Sequence, residues 1–242
     1  MSGRSRLHRI GGALNIRHKT RYNDGGYDRL AASYESLEWL LLGRRLERMR
    51  SAASQDARLS NLDSGSRNDQ PHALVFGGGT GRLIERLLRA ETRLTLTSLE
   101  RSTKMIAAQR RRVERCHADD RVDWIRADAL AMERGQLPAC DRVYFPFFLD
   151  CFSESTLRRK LPIWTSTLSP RGDLVWIDFV PNDRVLPRWR LWAMHRFFGL
   201  VTDLQNRSLV DIPSLLRDLS WQPIATEYSR DRALCCQRCR AA

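Results

Sequence analysis

Lysine is almost missing from this chain of 242 residues: of 41 basic side chains, only Lys19, Lys104 and Lys160 carry an ammonium group. The positive charge is therefore nearly all guanidinium, a planar fork that suits carboxylate and phosphate oxygens and stacks on aromatic rings. Long apolar runs are missing too. Nothing approaches the roughly 20 consecutive apolar residues of a spanning helix, and 42% apolar with 29% charged residues excludes a disordered chain and a collagen. Acids are few, 28 against 41 bases, for a net charge of +13. That imbalance bears on contact with anionic partners, an RNA or an anionic membrane surface, and not on fold. Where arginines cluster, as in Gln109-Arg110-Arg111-Arg112, they fall where an exposed helix face would put them.

Paired metal-ligand motifs are also absent. Cys116, Cys140 and Cys151 are scattered, and Cys235-Cys236-x-x-Cys239 has no second cysteine or histidine pair nearby, whereas a structural zinc site needs four ligands. The expectation is no metal, with Cys235 and Cys236 in a late strand. Met-Ser-Gly-Arg-Ser-Arg at the start has no apolar signal region, so a reducing cytoplasmic setting without disulfides is expected.

The length fits one large domain or a domain with a small extension. Residues 1–26 are basic, hold Gly11-Gly12 and Gly25-Gly26 and show no sustained periodicity, which predicts a flexible arm able to touch an anionic partner. Over 27–52, Leu30, Tyr34, Leu37, Leu40, Leu41 and Leu46 recur at helical spacings and predict an amphipathic leading helix. A polar linker over 53–70 follows. Short apolar runs then alternate with helical stretches, the pattern of a parallel α/β sheet. Strands are expected at 73–76, 94–99, 122–126, 142–145 and 173–179, with helices at 82–90, 102–115 and 155–168, and a turn at Ser169-Pro170-Arg171-Gly172. The aromatic, arginine-interleaved stretch 187–198 suits a pocket cover or a membrane-surface helix. A helix at 212–219 and two short runs at 224–228 and 233–236, read as an antiparallel pair, complete the chain.

Leu74-Val75-Phe76-Gly77-Gly78-Gly79-Thr80-Gly81 carries most of the chemistry: buried strand, glycine turn and helix start occur in immediate succession. Glycines let backbone turn sharply and approach a ligand, and the N–H groups at a helix start face it. The dinucleotide fingerprint fails, because its last glycine would fall on Arg82 or Ile84, and no Gly-Lys-Ser/Thr follows for a phosphate loop. The spacing of Gly77, Gly79 and Gly81 suits a nucleoside without pyrophosphate. Glu100 ends the second strand 19 residues after Gly81, where a carboxylate can accept both ribose hydroxyl protons. Asp128 follows the third strand, where an acid can accept from an adenine amino group.

Taken together these residues resemble the class I S-adenosylmethionine-dependent methyltransferases, over about 27–242. The glycine motif is similar to Val75-Phe76-Gly77-Gly78-Gly79-Thr80-Gly81, the pattern after the second strand to Glu100-Arg101-Ser102-Thr103-Lys104-Met105, and the Asp-Ala after the third to Asp128-Ala129. Tyr27-Asp28-Arg29-Leu30-Ala31-Ala32-Ser33-Tyr34 looks like the leading helix of members related to quinone-biosynthesis methyltransferases. The resemblance implies a Rossmann-like sheet of seven strands, mostly parallel with the last antiparallel, and helices on both faces. It divides the chain into a cofactor-binding half at 71–180, substrate-covering helices at 181–220 and a strand pair at 221–242.

It also implies S-adenosyl-L-methionine as cofactor. Phe76, Gly77, Gly78, Gly79 and Gly81 would cradle the methionine part and Glu100 the ribose. Arg101 and Met105 would flank the adenine, Asp128 and Ala129 would address its edge, and Phe145 would close the pocket. Val75 departs from the family, which has an acid there to meet the methionine ammonium. Tyr34, Phe147 and Trp192 are expected against a small apolar or aromatic acceptor, since Phe145-Pro146-Phe147-Phe148 lacks the polar leader of amino-methylating motifs. Candidate bases are Tyr144, Asp150, Asp178 and His195. The residues leave open an RNA-binding or RNA-modifying enzyme, a non-catalytic cofactor-binding module, and an aminopropyltransferase.

Overall fold

The computed structural model describes residues 44–55, 70–180 and 210–242. Among them seven strands form one sheet: β1 (His72–Phe76), β2 (Thr95–Glu100), β3 (Val122–Arg126), β4 (Cys140–Pro146), β5 (Leu168–Phe179), β6 (Trp221–Tyr228) and β7 (Leu234–Ala241). Five helices accompany them: α1 (Arg44–Gln55), α2 (Arg82–Ala90), α3 (Thr103–Glu114), α4 (Glu154–Trp164) and α5 (Ile212–Asp218). The strand order is β3-β2-β1-β4-β5-β7-β6. β1 to β5 are parallel, and β7 runs antiparallel to both β5 and β6, so the seven-stranded, mostly parallel sheet expected above is present.

Each strand alternates its side chains between faces. Ala73 and Val75 join the leucines of α2 and Leu46 and Met49 of α1 on one side. Leu74 and Phe76 meet Leu157, Leu161 and Trp164 of α4 and Leu215 and Leu216 of α5 on the other. With both faces covered, the inner strands read as nearly continuous apolar runs. The second face is the aromatic one: Phe76, Phe145, Phe148 and Trp164 lie ring to ring with centroids 5.0 to 5.9 Å apart.

Local differences from expectation have local causes. The polar linker expected from 53 does not begin there, because α1 runs to Gln55 with Ala53 and Ser54 buried. Helix α4 stops at Trp164, and Ser169 to Gly172 is not a turn between elements. The Cys140 N–H already bonds the Thr167 carbonyl at 2.9 Å, so the chain joins the ladder before Pro170 and the expected turn becomes an irregularity inside β5, between the Cys140 and Arg142 registers. β6 and β7 are longer than the two short runs expected, and β7 contains Cys235, Cys236 and Cys239, all buried thiols. The basic arm, most of the leading helix with Tyr34, and the 187–198 stretch with Trp192 and His195 lie outside the described residues. No helix among the described residues is long and apolar enough to cross a membrane.

Candidate functional site

The carboxyl ends of β1, β2 and β3 come side by side in register: Phe76 pairs with Leu99, and Glu100 with Arg126. Backbone bonds extend the alignment beyond the strands, from Gly77 N–H to the Leu99 carbonyl at 2.9 Å and from Ala127 N–H to the Glu100 carbonyl at 3.2 Å. The glycine loop, Glu100 and Asp128 therefore stand on consecutive strand ends, where open α/β sheets bind ligands.

The glycines have different reasons to be glycine. At Gly81, with φ +87°, a Cβ would lie 2.9 Å from the Gln109 Cα, and at Gly78 it would meet the Gln109 side chain and Ile84, each at 2.9 Å. At Gly77, with φ +65°, it would strike the Phe148 ring at 2.6 Å. Gly79, with φ +54°, faces open space, and a Cβ there would meet nothing within 4 Å. Three glycines let the protein close on the loop, and the fourth leaves a bare backbone surface for something else to approach.

Glu100 sits beside that surface, 8% exposed. Its Oε1 accepts from Arg101 N–H at 2.9 Å and Ser102 N–H at 3.0 Å. Burial pushes the carboxyl upward, and the N–H groups of Ser102, Arg101 and Gly79 oppose that push by favouring the anion. Ser102 caps α3, its Oγ accepting from Met105 N–H at 3.2 Å, and Met105 is buried behind it. Arg101 is half-buried at the same helix start. Asp128 caps the short turn Ala129–Ala131 through a 2.9 Å bond from Leu130 N–H, while the buried Ala129 carbonyl accepts from Trp164 Nε1. Phe76 and Phe145 are fully buried in the aromatic stack, so the ring that reaches the loop is Phe148 and not Phe145. Val75 packs into the opposite core.

Sequence reading missed the supports behind the loop. Gln109, placed above on an exposed arginine face, is fully buried: its Nε2 donates to the Gly79 carbonyl at 2.9 Å and its Oε1 accepts from Ser98 Oγ at 2.7 Å. Arg112 also turns inward, its Nε donating to the Thr80 carbonyl at 2.9 Å and its Nη1 meeting Glu85 at 3.1 Å. The usable signal was Gln109 itself, a polar residue four places from Met105 and from Val113 on the apolar stripe of α3. Glu47 of α1 joins this side from behind, taking Arg50, Arg82 and Arg86.

At the ends of β4 and β5 the arrangement differs. Phe147 has φ +54°, an unusual conformation for a bulky side chain. Its N–H reaches the Ile177 carbonyl at 2.7 Å and its ring packs near Phe179 and Arg50, on the α1 side of the sheet. The next turn, Leu149–Cys151, brings Asp150 to Asp178: the Asp150 N–H donates to Asp178 Oδ2 at 3.0 Å, and Phe179 N–H donates to Oδ1 at 3.0 Å. Asp178 is wholly buried. That burial, and next the charge of Asp150, push its carboxyl well above the ordinary aspartate range, beside the half-buried Asp150. Of the other expected bases, Tyr144 is buried under α1 with its hydroxyl accepting from Arg142 at 3.4 Å, away from these ends. No group of three or more metal-ligating side chains occurs among the described residues.

A glycine loop and two acids thus stand on consecutive parallel strand ends of one α/β sheet. Residues 73–172 match the family model described as a methyltransferase domain. No curated protein matches the sequence. Among solved structures, the chain is similar to mitomycin 7-O-methyltransferase MmcR, with 18% identity and a TM-score of 0.62 over 91% of this chain and 62% of that one. An O-methyltransferase family 2 protein from Planctomyces limnophilus, solved with apigenin, has 13% identity and a TM-score of 0.64 over 91% and 62%. DhpI, solved as a complex with SAH, has 19% identity and a TM-score of 0.59 over 90% and 95%. These likenesses establish a shared fold, and the chain spans 62% of the length of the first two neighbours.

Proposed function

We propose that this protein uses S-adenosyl-L-methionine to methylate a small apolar or aromatic acceptor, through Asp150 when the acceptor atom is a hydroxyl oxygen. The observation that carries the cofactor is the open backbone at Gly79 flanked by Glu100 on the next strand end and Asp128 on the one after. These residues fit the group: Glu100 would take the ribose hydroxyls, Arg101 and Met105 the adenine faces, Asp128 and Ala129 its edge, and the loop the amino-acid end. The cofactor supplies a methyl group on a sulfonium, a leaving group good enough that positioning and exclusion of water do most of the work.

The acceptor side is read from the ends of β4 and β5. Phe148 lies against Gly77, so the turn carrying Asp150 borders the amino-acid end of the loop. Asp178, whose carboxyl burial pushes upward, stands behind Asp150 and leaves Asp150 as the more exposed carboxyl of the pair. Asp150 then accepts the acceptor's hydroxyl proton as the methyl group arrives. The aromatic wall favours a planar acceptor, and the small molecules named for the neighbours, mitomycin and apigenin, agree with that size class. A methylation screen across phenols, quinols, fatty acids and RNA tests it. Turnover on a phenol or quinol is expected, and turnover on RNA alone would remove the small-molecule reading.

A further inference from the structure

We propose that Gln109 is the positioning residue that decides which backbone group the glycine loop offers the cofactor. The inference rests on the cofactor reading above. A peptide unit is planar, with its C=O and the following N–H pointing in opposite directions. Gln109 Nε2 holds the Gly79 carbonyl turned into the protein at 2.9 Å. The N–H of the same unit, that of Thr80, is consequently turned away from Gln109, next to Gly79, where an added Cβ would meet nothing within 4 Å.

The next peptide is fixed in turn: its carbonyl takes Arg112 Nε at 2.9 Å and its N–H, from Gly81, bonds the Gly78 carbonyl at 3.0 Å. The carboxamide cannot turn over without loss, because Oε1 already accepts the Ser98 hydroxyl at 2.7 Å. Gln109 is also the wall against which the missing Cβ atoms of Gly78 and Gly81 would collide. One buried amide thus presents a donor to the ligand, which selects an acceptor there, the carboxylate of the cofactor's amino-acid end. On that reading the adenine and ribose contacts come from β2 and β3, whereas Gln109 makes its hydrogen bonds to the Gly79 carbonyl and to Ser98.

This predicts a selective loss. Calorimetric titration of the full chain compares S-adenosylhomocysteine, which carries the carboxylate, with 5′-deoxy-5′-methylthioadenosine, which lacks the amino-acid end. Gln109→Met, similar in volume but without the donor, should weaken the first about ten- to a hundredfold, the scale of a hydrogen bond to a charged group. The second should change by less than about threefold. Ser98→Ala, which removes only the anchor of the amide, is the milder variant should Gln109→Met not fold, and should weaken the first ligand alone by at least about threefold. Equal losses for both ligands, or none for either, would overturn the proposal. Failure of the unmodified protein to bind either ligand would remove the cofactor reading and this inference with it.

Discussion

The two halves of the sheet's carboxyl edge are built on opposite plans. At β1, β2 and β3, side chains are spent on tying down backbone: Gln109 holds Gly79, Arg112 holds Thr80, Glu100 holds two amides of the helix start and Ser102 caps it. At β4 and β5 the edge holds a left-handed Phe147 and a carboxyl pair whose buried member, Asp178, is pushed well above the ordinary aspartate range. On the function proposed above, the first half would be the socket for the cofactor and the second the edge toward the acceptor.

That contrast can be broken from either side. Asp150→Asn keeps the backbone N–H that Asp178 accepts and removes the base, so kcat on a hydroxyl acceptor should fall about a hundred- to ten-thousandfold. Affinity for S-adenosylhomocysteine should stay unchanged, and a loss of cofactor binding would merge the halves that we separate. On the other side, Gly81→Ala forces a Cβ into φ +87° and to 2.9 Å from backbone. Its cost should appear as stability, about 1–3 kcal/mol in a denaturant titration. Gly79→Ala has space but must take φ +54°, so it should cost only about 1–2 kcal/mol of stability while weakening cofactor binding, because the added methyl occupies the open face.

The smallest effect is one of pH, with opposite signs in the two halves. Burial pushes Glu47 upward, but Arg86 and Arg50 overcome it and hold the carboxyl at about 2. Its stabilising contribution is present above the ordinary glutamate range and is lost as pH falls toward that value. Asp178, raised, contributes fully below the ordinary aspartate range and loses that contribution as pH climbs through its displaced value. Glu47→Gln should therefore lower the melting temperature at pH 7 by a few degrees, about 1 kcal/mol after allowance for solvent screening, and the gap should close in acid. Asp178→Asn should flatten the decline on the alkaline side of the stability curve.

Much of the first half was legible because its signals are local. A glycine run between a strand and a helix, and acids closing the next two strands, are features of adjacent residues, and the sheet placed them together. The supports were hidden because they depend on which way a helix is rotated. Gln109-Arg110-Arg111-Arg112 reads as solvated charge, yet a helical turn of rotation sends Gln109 and Arg112 inward and leaves Arg110 to stack on Trp124 at 5.7 Å. The resemblance places Phe145 at the pocket; strand alternation puts its ring in the aromatic core, and the left-handed Phe147 re-aims the residues after it, bringing Phe148 onto Gly77. The pairing of Asp150 with Asp178 spans 28 residues and two strands, and no spacing rule announces it.

The central claim is that Gly79, Glu100 and Asp128 form one cofactor socket. Calorimetric titration with S-adenosylhomocysteine, run on the unmodified protein beside Glu100→Ala and Asp128→Ala, tests it most directly. The account predicts micromolar binding that each substitution weakens about tenfold or more, since each removes hydrogen bonds to a charged partner. Micromolar binding indifferent to both substitutions, or no binding at millimolar ligand, would contradict it.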